Sequence, residues 1–217
     1  MGEVGPPFTG FSKDAFAFFT SLGANNNREW FQAHKDVYER SCRDALKALT
    51  TILDPPLGAS RLTRINRDMR FSKDKAPYRT HISTGVHGNY LSLSGEGLYV
   101  GTGLYMPDPP MLRWLREAVD QDVSGRKLAD IVTALRRKGY MVGSHDTLAK
   151  TPRGFRVDHP RSELLRMKDI HAGKIITPSA LSSSAKAVEH VRRACADVAP
   201  LRDWLQRHVG SGGQRDA

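Results

Sequence analysis

Basic side chains crowd into one short stretch of this chain, residues 61–79, which we call the basic segment. It holds seven basic residues against two aspartates, a net charge of +5 in a chain whose total is +10. The basic residues are Arg61, Arg64, Arg67, Arg70, Lys73, Lys75 and Arg79, and the aspartates are Asp68 and Asp74. Guanidinium groups that share an aspartate keep other N–H donors for a phosphate or carboxylate. The segment therefore predicts an anion-binding site in which Asp68 aligns the arginines.

Further groups in and near this stretch extend the candidate site. Ser72 and Tyr78 add hydroxyl donors, and Pro77 stiffens the loop, which then presents its charges at a lower entropic cost. His81 follows closely enough to act as a proton donor or acceptor. The predicted ligand-binding set is Arg64, Arg67, Asp68, Arg70, Ser72, Lys73, Lys75, Tyr78, Arg79, Gly101 and Gly103.

Gly101 and Gly103 share one face of a predicted strand with Tyr99 and Tyr105. They leave room for a ligand, or for the basic segment, to lie against the backbone, although the same glycines also suit a closely packed sheet. The run G-T-G lacks the strand–turn–helix context of a dinucleotide fingerprint, and the sequence has no GxxxxGK[ST] motif. We therefore expect no bound cofactor.

Asp158 and His159 are adjacent in a predicted loop and, with His81, are the candidates for proton transfer. An Asp–His pair can orient an imidazole as a base, or can supply metal ligands together with His81 and Asp68. The sequence has no HxxxH, HExxH or CxxC spacing, so no dedicated metal centre is predicted. The absence of a Gly-x-Ser-x-Gly motif, and of a suggestive neighbourhood around either cysteine, leaves covalent catalysis unsupported.

The elements that must position these groups are predicted from periodicity. Ser12 and Asn27 are placed to cap two helices, the second running from Arg28 to about Leu53, and residues 64–71 alternate as a strand. A hairpin is predicted with strands at 90–93 and 98–105. Later helices are predicted from Pro110, over 127–138, and towards the C-terminus with a break at Pro200, while 140–178 holds short strands and one short helix.

Strands cluster in the middle of the sequence and helices lie on both sides of them. This order favours an α+β fold, with a mainly antiparallel central sheet packed by N-terminal and C-terminal helices. Without an internal repeat or a long linker, residues 8–209 are predicted to form one globular domain. Residues 1–7 and 210–217 are predicted to be flexible termini.

Composition narrows the class of protein. The chain has 217 residues, of which 39% are hydrophobic and 26% charged, a globular balance. We expect no membrane association, because the longest apolar runs fall well short of a bilayer span, and the first residues lack a signal-peptide pattern. Cys42 and Cys195 are read as packed thiols of a reduced, cytoplasmic protein. A pI of about 9.9 is compatible with an acidic partner.

Four stretches resemble the sequence pattern of one family. They are "NNREWF" at 26–31, "RINRDMRFSKDKAPYRTH" at 64–81, "GLYVGTGLYMPDPPML" at 97–112 and "GFRVDHPRSELLRMK" at 154–168. The family is the bacterial and fungal domain of unknown function DUF2461, and the resemblance spans about residues 8–209. It implies that the basic segment belongs to the family pattern, and it implies no activity. His34 departs from the pattern, which has Asn at that position.

Three functional hypotheses remain open. The basic segment is the binding site, and on some readings the active site, for a phosphorylated or polyanionic small molecule. Alternatively, it is part of a nucleic-acid-binding surface that includes basic residues at 136–138 and 192–193. In the third hypothesis its charges form an internal ion-pair lattice that only stabilises the fold, and Arg67→Ala then costs several kcal/mol through unpaired buried charge.

Overall fold

The computed structural model describes residues 7–53, 61–68, 70 and 74–210. Its helices are α1 Lys13–Ala24, α2 Arg28–Ala33, α3 Lys35–Val37, the π-helix Tyr38–Asp44, α4 Ala45–Leu53, α5 Pro109–Asp120, α6 Asp122–Arg137, α7 Ser162–Arg166, the 3₁₀-helix Pro178–Leu181 and α8 Ser184–His208. The strands are β1 His81–Val86, β2 Asn89–Ser94, β3 Gly97–Leu104, β4 Met141–Gly143 and β5 Ile170–Ile176. In this part of the chain, no helix is both long enough and apolar enough to cross a bilayer.

The strands form one five-stranded antiparallel sheet in the order β1-β2-β3-β5-β4. Ile82 of β1 pairs with Leu93 of β2, and both side chains are buried. The turn between these strands has positive φ at His87 and Gly88, the combination that matches the twist of a two-residue hairpin. With helices before and after the strands, the sheet confirms the predicted α+β class.

The chain folds into two compact units. Unit 1 consists of residues 1–100 and 175–193, and unit 2 of residues 101–174 and 194–217. Unit 1 has an aromatic core in which the ring centroid of Phe18 lies 5.6 Å from that of Tyr38 and 6.2 Å from that of Phe31. The prediction of one domain over 8–209 stays a prediction.

Unit 2 buries the apolar faces of α5 and α6, together with the C-terminal part of α8 and strand residues of the sheet. Asp108 caps α5, accepting a hydrogen bond from the Met111 backbone N–H at 2.9 Å. The buried residues of this core include Leu104, Leu115, Val119, Leu128, Val132, Leu135, Tyr140, Leu165, Ile170, Val198, Leu201 and Trp204.

Several predicted elements are confirmed. Asn27 caps α2 through a hydrogen bond from the Trp30 backbone N–H, and the predicted hairpin is β2–β3. The segment 140–178 holds two short strands and the helix α7, as its mixed pattern indicated. The predicted flexible termini fall largely on residues 1–6 and 211–217, which lie outside the described residues.

Three predicted element boundaries are wrong. The helix expected from Arg28 to Leu53 is interrupted at His34, whose φ of −115° and ψ of 12° are not helical. Pro200 does not break the last helix, because the burial of Val198 and Leu201 on either side offsets the lost backbone hydrogen bond. Helix α6 begins at Asp122, ahead of the predicted start at 127.

Candidate anion-binding site

The basic segment begins along the outer edge of the sheet. The Thr63 N–H donates to the Ser83 carbonyl at 2.8 Å, the Arg79 N–H to the Ile65 carbonyl at 2.8 Å, and the Arg67 N–H to the Pro77 carbonyl at 2.9 Å. Residues 61–67 therefore run antiparallel to residues 77–84. They cover β1, which is the edge strand of the sheet.

The strand predicted over 64–71 is only partly present. Among the described residues it is a single bridge, between Asn66 and Tyr78, rather than a regular strand. Residues 69 and 71–73 lie outside the described residues, and they include Ser72 and Lys73 of the predicted site. The alternation of exposure still follows the prediction, since Ile65 is buried and Arg64, Asn66 and Asp68 are exposed.

Asn26 anchors the return strand of this arrangement. Its amide N–H₂ donates to the Tyr78 carbonyl at 2.9 Å, and its carbonyl oxygen accepts from the Tyr78 N–H at 3.0 Å. The Tyr78 ring is buried and stacks on Phe31, with centroids 4.1 Å apart and planes 16° apart. The stretch "NNREWF" thus holds the stretch "KAPY" in place, and the ring of Tyr78, proposed from sequence as a ligand group, serves packing here.

Two arginines of the segment have local acid partners. Arg67 pairs through Nη1 with Asp74 and also donates to the Ala76 carbonyl at 3.3 Å. Arg70 contacts Asp68 through Nη2 at 2.6 Å and Nε at 3.0 Å. The hydrogen bonds from Arg70 and Arg67 lower the pKa of Asp68 and Asp74, respectively. Asp68, Arg70 and Asp74 are solvent-exposed and Arg67 is partly buried, so the two pairs orient the guanidinium groups more than they stabilise the fold.

Three further arginines of the segment, Arg61, Arg64 and Arg79, are exposed and form no ion pair with any residue that the structure describes. The bridge between Asn66 and Tyr78 places Arg79 opposite Ile65, one position from Arg64. Lys75 is also exposed. This part of the segment therefore presents to solvent three guanidinium groups, those of Arg61, Arg64 and Arg79, without an ion pair among the described residues.

His81 is the first residue of β1 and lies two residues beyond Arg79. It is half-buried, and burial together with the charge of Arg79 lowers the pKa of its imidazole. The ring is therefore neutral at pH 7 and able to accept a proton. Of the three residues proposed for proton transfer, it is the one within unit 1, where the basic segment also lies.

Asp158 and His159 belong to unit 2, and each has a partner of its own. Asp158 is exposed and paired with Arg156 at 2.7 Å, which lowers the pKa of the carboxyl group. The His159 ring is buried; its Nδ1 accepts from the Arg161 N–H at 3.0 Å, and its Nε2 lies 3.3 Å from Asp120 Oδ1. The two neighbours in sequence are therefore held by different groups.

Both glycines of the G-T-G run lie in β3. A Cβ on Gly103 would stand 2.5 Å from the Ile170 carbonyl oxygen and 2.7 Å from the Cα of His171, both on β5. Gly101 is buried, whereas Gly103 itself is solvent-exposed. At Gly103 the absent side chain allows close approach of β5, which is the packing alternative left open by the sequence.

A further group of side chains, in unit 2, was not predicted from the sequence. His145, Asp169 and His171 lie together, with donor atoms all within 4.8 Å of one another. We call them the His–Asp–His cluster. The signal in the sequence was weak: the alternation of Asp169 and His171 at the start of a strand gives them a common face, but His145 joins them only through the pairing of β4 with β5.

These features define an α+β protein whose sheet edge carries an exposed cationic segment. The family model described as conserved hypothetical protein (DUF2461) matches residues 14–204, and the chain belongs to this family. No curated protein and no solved structure matches the chain significantly.

Proposed function

We propose that this protein binds a phosphorylated or polyanionic small molecule on the exposed face of its basic segment. The observation that carries the proposal is the group of exposed arginines in this short segment, of which Arg61, Arg64 and Arg79 have no acid partner among the described residues. Like charges in one short segment repel, and a bound anion reduces that repulsion and accepts N–H donors from the guanidinium groups.

The neighbouring pairs have a supporting role in this proposal. Asp68 and Asp74 hold Arg70 and Arg67 in fixed orientations, and Arg67 uses Nη1 for both of its contacts within the described residues. A guanidinium fixed in this way loses less rotamer entropy when it binds a phosphate oxygen. The sequence of the same segment contains two further cations, Lys73 and Lys75, which a larger anion would also require.

A reaction on the bound molecule would use His81 as the proton acceptor in this proposal. Its lowered pKa keeps the ring neutral at pH 7, and the charge that contributes to this shift comes from Arg79, one of the proposed anion ligands. We do not assign this role to Asp158 or His159, because each is already engaged within unit 2.

The other two hypotheses receive less support. Of the basic residues that would extend a nucleic-acid surface, Arg136 pairs with Glu163, Lys138 with Asp197 and Arg193 with Glu189. The internal lattice requires buried charges, whereas Asp68, Arg70 and Asp74 are exposed and Arg67 is only partly buried.

A thermal-shift screen with tripolyphosphate, nucleotides and sugar phosphates tests the proposal. A ligand at about 100 times its Kd stabilises the folded state by about 2.7 kcal/mol, which raises the Tm of a chain of this size by roughly 5–10 °C. We expect the double variant Arg64→Gln/Arg79→Gln to abolish this shift.

The matched control is Arg137→Gln/Arg153→Gln, which removes the same charge from two exposed arginines without ion pairs among the described residues. It should keep the shift. Equal shifts in both double variants, or no shift with any of these compounds, would refute the proposal. Binding to single-stranded DNA with a steep salt dependence, lost in the first variant, would instead favour the nucleic-acid hypothesis.

A further inference from the structure

We propose that His145, Asp169 and His171 form a binding site for one divalent transition-metal ion of the Zn²⁺ class. All three residues belong to unit 2, and the inference is independent of the anion-binding proposal. Two imidazole nitrogens and one carboxylate oxygen are the donor set of many mononuclear zinc and iron sites that keep an open coordination position.

The register of two strands brings the three side chains together. Gly143 of β4 pairs with His171 of β5, and an isolated bridge joins Thr147 to Met167. Both pairs belong to the same antiparallel register, which places His145 directly opposite Asp169. Because alternate residues of a strand share a face, the three side chains emerge on one side of this two-stranded ribbon.

The distances between donor atoms are close to those that a small ion requires. Asp169 Oδ1 lies 3.0 Å from His145 Nδ1 and 3.3 Å from His171 Nδ1. Ligand atoms of a tetrahedral zinc site with bonds of about 2.0–2.1 Å are roughly 3.3 Å apart. One donor atom from each of the three residues lies within 4.8 Å of the others. A small further approach of the two histidine rings would therefore complete the spacing of a zinc site.

Both histidine rings meet at one oxygen of Asp169. Oδ1 lies 3.0 Å from His145 Nδ1 and 3.3 Å from His171 Nδ1, and it shares the His145 backbone N–H with Oδ2, each at 3.1 Å. In the tautomer that carries its proton on Nε2, each ring presents its Nδ1 lone pair to this position. One metal ion there would bond both nitrogens and the oxygen.

The surroundings hold the ligands as a metal site requires. The Asp169 side chain is 8% exposed and is fixed by the His145 N–H, which contacts both of its oxygens, while its own N–H donates to Ser144 Oγ at 3.2 Å. The missing side chain of Gly103 on β3 allows His171 to pack close to that strand. A Cβ on Gly103 would lie 2.7 Å from the His171 Cα and 2.8 Å from its Cβ. Such outer contacts orient the ligands of protein metal sites.

The site is open on one side. The His145 side chain is 58% exposed and that of His171 is 30% exposed, and the Tyr105 ring packs edge-on against His145 at 5.2 Å. A metal held by three protein ligands at this position would therefore carry water, or an anionic oxygen of a ligand, at its remaining site. The chemistry that such an ion supplies is polarisation of a bound oxygen.

Titration of the metal-free full-length protein with Zn²⁺ by calorimetry, and with Co²⁺ by visible absorption, tests this inference. We expect one equivalent of each ion to bind, with cobalt d–d bands of a four- or five-coordinate site. His145→Ala should weaken Zn²⁺ affinity about 100-fold or more, because it removes a direct ligand and the loss of an outer contact alone costs about 10–100-fold. This variant alters an exposed side chain, so its fold is expected to persist, and circular dichroism checks that point.

Two further variants make the test decisive. His190→Ala removes a half-buried histidine of α8 outside the cluster and should leave binding unchanged. Asp169→Asn keeps the size of the side chain and should weaken binding as His145→Ala does. Wild-type protein that binds neither ion, or equal Zn²⁺ affinities in the His145 and His190 variants, would overturn the assignment.

Discussion

The substitution Asn26→Ala tests how the basic segment is held in place. Asn26 bonds both backbone groups of Tyr78, and this contact links the start of α2 to the return strand that carries Arg79. Alanine removes both hydrogen bonds and leaves the Tyr78 N–H and carbonyl without this partner. Stacking of Tyr78 on Phe31 remains, so the change isolates the polar contact.

The expected loss follows from the burial of these groups. A buried backbone group left without a partner costs about 1–3 kcal/mol. Because the contact is partly buried, we take the lower half of that range, about 1–2 kcal/mol, for each group, which gives about 2–4 kcal/mol in total. For a chain of this length this corresponds to a fall in Tm of about 4–16 °C.

Chemical denaturation followed by circular dichroism measures this loss, with Asn25→Ala as the control. Asn25 is the exposed neighbour that follows α1, and its side-chain N–H₂ donates to the Ser21 carbonyl of that helix at 3.0 Å. We expect the control to lose less than about 1 kcal/mol. Equal stabilities of the two variants would show that Asn26 does not anchor the segment, and the reasoning about its position would fail.

Further predictions concern packing, thiol chemistry and pH. Gly103→Ala should cost about 1–3 kcal/mol by forcing β5 away, whereas Gly143→Ala, with open space around its Cβ position, should cost less than about 1 kcal/mol in the same denaturation assay. Burial raises the pKa of Cys42 to about 12 and that of Cys195 to about 11. Neither thiol of the native protein should therefore react rapidly with a thiol reagent at pH 8, and fast labelling of either would contradict this. The lowered pKa of His81 means that the unfolded chain binds its proton first, so stability falls as pH drops below about 6.5. In His81→Gln that fall, measured by denaturation between pH 7 and 5, should be smaller.

Local chemistry made some elements predictable from the sequence. The capping role of Asn27 and the β2–β3 hairpin follow from side-chain hydrogen bonding and from a period of two, both of which act between near neighbours. The break at His34 and the continuity of α8 through Pro200 depend instead on how the flanking residues pack in the folded protein. Helical periodicity in the sequence does not indicate this packing.

The candidate sites show the same limit. The excess charge of the basic segment is evident in composition, but which cations lack a partner depends on the pairing of Arg67 with Asp74 and of Arg70 with Asp68. The His–Asp–His cluster needs the register of β4 against β5, since His145 is 24 residues from Asp169 in the chain. Strand register is a property of the folded sheet, so motif spacing did not reveal it.

The measurement that tests the central claim most directly is an amide chemical-shift titration of the ¹⁵N-labelled protein with pyrophosphate. We expect saturable shifts concentrated at residues 61–68 and 74–81. The apparent affinity for pyrophosphate should fall at least tenfold in Arg64→Gln/Arg79→Gln and should be unchanged in Arg137→Gln/Arg153→Gln. Shifts scattered over the lysines and arginines of the whole chain, or a binding curve that is the same in both double variants, would contradict it.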